Sequence, residues 1–157
     1  MNFDKRTIFG IVLGVIALAG LCLFLFMGSI NVDVGEVCLT IEGTLVEKKT
    51  LYYEDIESVQ VVENVDVGLK TMGTETLRTM TGQYHSEQYG AFSLFMYKKV
   101  ANGIVLTTKA GEIIIFNRDN LEDTIKCCNE INDKLLPGNE TGPDITEEEP
   151  ESLIDEA

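Results

Sequence analysis

The sequence predicts a mainly β chain. A single N-terminal membrane helix precedes a strongly bent sheet or barrel whose open end is covered by a C-terminal helix, and an acidic tail follows. Three observations carry this reading. Residues 7–27 contain no charge, strand-like runs bounded by turn residues stand at 37–63 and again at 90–116, and residues 119–135 switch to helical period.

The uncharged run TIFGIVLGVIALAGLCLFLFM is long enough, at 1.5 Å per residue, to cross an apolar bilayer core of about 30 Å. Ala17-Leu18-Ala19 resembles a cleavage site, but the chain stays apolar as far as Met27, so the run reads as an uncleaved anchor. Lys5 and Arg6 precede it, and residues 28–47 carry neither Lys nor Arg. The positive-inside rule then expects a single-pass protein of the cell membrane, with residues 1–6 cytoplasmic and the C-terminal domain outside. Gly10 and Gly14 form a GxxxG pair continued by Ala17, which is the spacing of membrane-helix packing and of a homodimer through that helix. Glycine is also simply frequent in such helices.

Residues 28–36 read as a linker, and residues 37–136 as one domain. Strands are expected at 37–41, 45–53 and 57–63, with a tight corner at Tyr53-Glu54-Asp55-Ile56. Phe92, Leu94 and Met96 alternate with Ala91, Ser93, Phe95 and Tyr97. Asn102-Gly103 and Ala110-Gly111 then mark hairpin turns into 104–108 and 113–116, a predicted three-strand meander. Asp119 or Asn120 can cap a helix, with Glu122 or Asp123 three residues on. Leu121, Ile125, Cys128, Ile131 and Leu135 mark its apolar face, and Pro137-Gly138 ends it. Residues 137–157 read as a disordered acidic tail.

Charge narrows the function. The net charge is −14, and the eight acids of residues 138–157 leave −6 on the rest. Neither part offers the clustered basic face that nucleic acid requires, and anionic headgroups are disfavoured for the same reason.

The order Leu51-Tyr52-Tyr53-Glu54-Asp55-Ile56-Glu57-Ser58-Val59, Gly68, Gly73, Gly82-Gln83-Tyr84, Tyr89-Gly90, a strand pair, Phe116-Asn117 and a final helix resembles the bacterial pleckstrin-homology-like (PH-like) domain. The likeness covers roughly residues 37–136. It implies a bent barrel of about seven strands with a C-terminal helix, commonly attached to membrane segments, and it brings no catalytic motif. Phosphoinositide-binding relatives use a basic cluster near the first hairpin. Here Lys48 and Lys49 stand there beside Glu42 and Glu47.

Chemistry-bearing residues are few. His85 is the single histidine, with only Glu87 nearby as a further ligand, so neither a metal nor a catalytic site is expected. It is placed on a loop tip at 85–88, and Tyr84, His85 and Tyr89 form a candidate interaction surface. Cys128 falls on the apolar helix face and Cys127 off it, where it could react; Cys38 could pair with either if strand and helix bring them together. No phosphate-binding glycine loop is present.

The expectation is a non-enzymatic, cofactor-free, membrane-anchored module that binds or assembles with another envelope protein. A lipid or envelope-ligand domain is the alternative, and a thiol-active protein using Cys127 or Cys128 a further one.

Overall fold

The computed structural model describes residues 4–26, 28–43 and 48–136. The expected acidic tail at 137–157 lies outside the described residues. Helix α1 (Lys5–Phe26) is followed by strands β1 (Ile30–Val34), β2 (Cys38–Gly43) and β3 (Lys48–Tyr52), and by a 3-10 turn at Tyr53–Asp55. Strands β4 (Ile56–Val62), β5 (Leu69–Glu75), β6 (Thr79–Ser86), β7 (Gly90–Tyr97), β8 (Gly103–Thr108) and β9 (Ile113–Phe116) come next, and helix α2 (Leu121–Leu135) closes the described chain.

The expected membrane span is corrected. Residues 5–26 do form a helix, but among the described residues no helix is long and apolar enough to cross a membrane.

Among the described residues nine strands form two sheets, where about seven strands in one bent barrel were expected. Strands β1-β2-β3 make an antiparallel sheet, and the other six run in the order β4-β8-β9-β7-β6-β5. The segment expected to be a linker contains β1, which pairs Ile30 with Gly43 and Val34 with Leu39. The meander is corrected too. β9 lies between β7 and β8, parallel to β7 through Leu94 and Ile115, and antiparallel to β8 through Val105 and Ile115. Residues 98–102 are therefore a connection over β9 and not a hairpin.

Strand alternation gives the six-stranded sheet two apolar faces. Phe95, Tyr97, Ile104, Leu106, Ile114 and Phe116 face the small sheet and α2, meeting Ile30, Val32, Leu39, Ile41 and Ile131 in the main core. Tyr84, Phe92, Leu94, Met96, Val105 and Ile115 form a second cluster on the opposite face. Residues 63–68 cover that cluster. They join β4 to β5, the two rims of the sheet, and Val65 and Val67 pack on the cluster as they pass. Val65 N–H also donates to Ala101 O at 3.0 Å. With β7 buried on both faces, its near-continuous apolar sequence follows.

α2 starts where Asn120 Oδ1 accepts from Asp123 N–H at 2.8 Å, the cap expected from sequence. Its buried face is Thr124, Cys127, Cys128 and Ile131, while Leu121 and Ile125 stay exposed. The face is therefore rotated from the expected one. Thr124 is anchored by two bonds, donating to Asn120 O and accepting from Arg118 N–H, and this turns Cys127 inward.

Candidate interaction surface

The β5–β6 hairpin carries Tyr84 and His85, two of the residues singled out from sequence. Its turn holds no glycine or asparagine. Thr76 N–H donates to Thr79 O, and Thr76 Oγ1 accepts from the backbone N–H groups of Arg78 and Thr79, so a threonine side chain does the work of a turn residue. Gly73 and Gly82 are cross-strand partners with φ of 131° and 133°. A Cβ on either would run into the backbone of the other strand. The pair lets the two strands approach as no side chain would.

β6 continues through Ser86, so His85 lies in the ladder, opposite Leu69 on β5 and Ala91 on β7. The loop tip shrinks to 87–89. Successive strand residues face opposite sides, and the three candidate surface residues separate accordingly. His85 is exposed. Tyr84 is only 4% exposed and belongs to the second cluster. Tyr89 is partly buried there, edge-on to Phe92 at 5.8 Å, with Tyr84 stacked on the same ring at 6.2 Å. Neither tyrosine hydroxyl has a hydrogen-bond partner among the described residues. Burial pushes the Tyr84 hydroxyl up to about 12. These are core aromatics, and no shared surface joins them to His85.

The surface that does emerge is β5 itself. Among the described residues it is a rim strand, paired with β6 on one side only. Leu69 and Met72 are 77% and 70% exposed. The ladder slips between Lys70 and Met72, leaving Thr71 as an extra residue whose hydroxyl donates to Gln83 O. Lys98 donates to Glu75 at 2.7 Å and Lys70 lies 3.5 Å from it, so the Glu75 carboxyl is held below its usual range, mainly through the Lys98 bond. The opposite case is β1. Tyr97 Oη occupies both backbone groups of Ile30, and Arg118 Nη1 donates to Val32 O at 2.6 Å. The β1 edge of the small sheet is capped by side chains, while among the described residues no strand lies along the β5 edge of the large one.

Other candidates do not gather into a reactive site. All four cysteines are free. Cys127 and Cys128 lie in the main core, and burial pushes the Cys127 thiol up to about 11, against the direction a nucleophile needs. Lys49 is tied to Glu112 at 2.8 Å. Among the described residues, no group of three or more His, Cys, Asp or Glu could hold a metal. Gly10 and Gly14 have open space where a side chain would stand.

Sequence reasoning missed β5 because LKTMGTE has neither alternation nor β-branched density. The signal present was the pair of glycines at 73 and 82, symmetric about the 76–79 turn.

Compared with known families, residues 31–127, more than half of the chain, match the model of the bacterial PH domain. No curated protein and no solved structure matches the chain.

Proposed function

The chain belongs to the bacterial PH domain family, and on that premise we propose that it is a non-enzymatic protein-interaction module which binds through the open edge of β5. Domains of this family are typically protein or lipid interaction modules. The observation carrying the reading is the rim position of β5, with Leu69 and Met72 exposed beside unpaired backbone groups. Such an edge is a template for an added strand, with main-chain bonds giving affinity and side chains giving selectivity. The occupant is an extended protein strand. The lipid alternative is less well supported, because Lys49 is neutralised by Glu112 and the chain carries −14.

The test uses tagged full-length chain and the double variant Leu69→Asp, Met72→Asp as paired baits. The reading expects a protein that the first retains and the second loses, and whose addition slows amide exchange across residues 69–75. Identical capture by both baits, or unchanged exchange in β5, overturns it.

A further inference from the structure

We propose that the strand received by β5 is β5 of a second copy of this chain, so that two six-stranded sheets join across a two-fold axis at Gly73. The inference rests on the interaction reading above and names its partner.

The ladder with β6 fixes which face each β5 residue takes. Lys70 is opposite Tyr84, Gly73 opposite Gly82, and Glu75 opposite Met80, so these three share the face of the second cluster. Leu69, Met72 and Thr74, opposite His85, Gln83 and Thr81, share the other face. Two antiparallel copies must match faces. With Gly73 opposite Gly73 of the partner subunit, Met72 falls opposite Thr74 of the partner subunit. Across the extra residue Thr71, Lys70 then falls opposite Glu75 of the partner subunit, and the same pair repeats at the other end.

Three properties of the strand favour this register. Directly opposed unlike charges stabilise antiparallel neighbours. The crossing point is the one β5 residue without a side chain, which allows close approach. Pairing also covers part of the apolar area of Leu69 and Met72. A slip of one position sets the two faces against each other, and a slip of two sets Lys70 opposite glycine or nothing.

The experiment exploits the fact that each charge is also paired within its own chain. Lys70→Glu and Glu75→Lys variants of the full chain are studied by sedimentation velocity, alone and mixed, in a mild nonionic detergent that covers the exposed side chains of α1. Wild type is expected to dimerise. Each variant alone opposes like charges at both ends, and its association should weaken at least tenfold. In the equimolar mixture every opposed pair is again one acid and one lysine, so dimers return. The contact between 70 and 75 within each chain stays broken on mixing, so recovery cannot come from repaired folding. A monomeric wild type, dimerisation indifferent to both variants, or a mixture that stays monomeric overturns the proposal. Should a variant fail to fold, Met72→Cys and Thr74→Cys chains are mixed and oxidised instead. A cross-link between the two supports the register, and none overturns it. A foreign protein captured through β5 by a monomeric chain overturns the second copy and leaves the interaction reading standing. Absence of both overturns both.

Discussion

The side chain of Asn117 grips both backbone groups of Tyr97: its Oδ1 accepts from Tyr97 N–H at 2.7 Å, and its Nδ2 donates to Tyr97 O at 3.2 Å. The same Nδ2 reaches Val100 O at 2.9 Å and Asn102 O at 3.3 Å, and the residue is fully buried. One amide thus holds the end of β7 and the connection that carries the chain over β9. Replacing Asn117 with Ala leaves a buried N–H and up to three carbonyls without their partner, which should cost about 3 kcal/mol or more. Asn117→Asp keeps the acceptor and loses the donor, so it should not rescue. The denaturant midpoints of both variants check this.

The facing glycines set a second test. Gly73→Ala and Gly82→Ala each force a side chain into the backbone of the opposite strand, at a φ that L-residues rarely adopt. Each should lower stability by about 2–4 kcal/mol, read from thermal melts, whereas Gly90→Ala meets nothing within 4 Å and pays only for its φ of 67°. Equal losses at all three positions would contradict the close-approach account.

Tyr84 buries a hydroxyl without a partner. Tyr84→Phe removes the desolvated group and keeps the ring against Phe92, so it should be neutral or stabilise by about 1 kcal/mol. A loss above that size would mean that the hydroxyl is bonded in solution.

Cys127 supplies a pH dependence. Its thiol ionises near 11 in the fold, mainly because it is buried, against 9.0 for the free group. Between those values the unfolded chain releases the proton and the folded chain keeps it. Stability is therefore undiminished below pH 9 and falls as pH rises towards 11. Alkylation of Cys127 at pH 8 should be slower than that of a free thiol, and mass spectrometry of the labelled peptide reads it directly.

Local pattern made parts of this fold legible. The alternation in β7, the short apolar runs of β8 and β9, and the Asn120 cap all act within a few residues of themselves. What stayed hidden depends on distant partners. The insertion of β9 beside β7 is a pairing 21 residues apart at Leu94 and Ile115, with nothing local to mark it. β1 and β5 are short or polar, and each is made a strand by its neighbour. The buried face of α2 departs from its apolar pattern because Thr124, a polar residue, is buried by two hydrogen bonds, while Leu121 and Ile125 remain outside. At the candidate surface the aromatics Tyr84 and Tyr89 drew attention, whereas the open edge between Leu69 and Glu75 had no sequence signature beyond its glycine.

The passage of residues 63–68 over the second cluster has a mechanical consequence. It is a covalent tether between the rims, so the separation of β4 and β5 is limited by a length of chain as well as by packing. Tension applied to β5 by anything bound there is delivered through six residues to β4, which sits beneath α2.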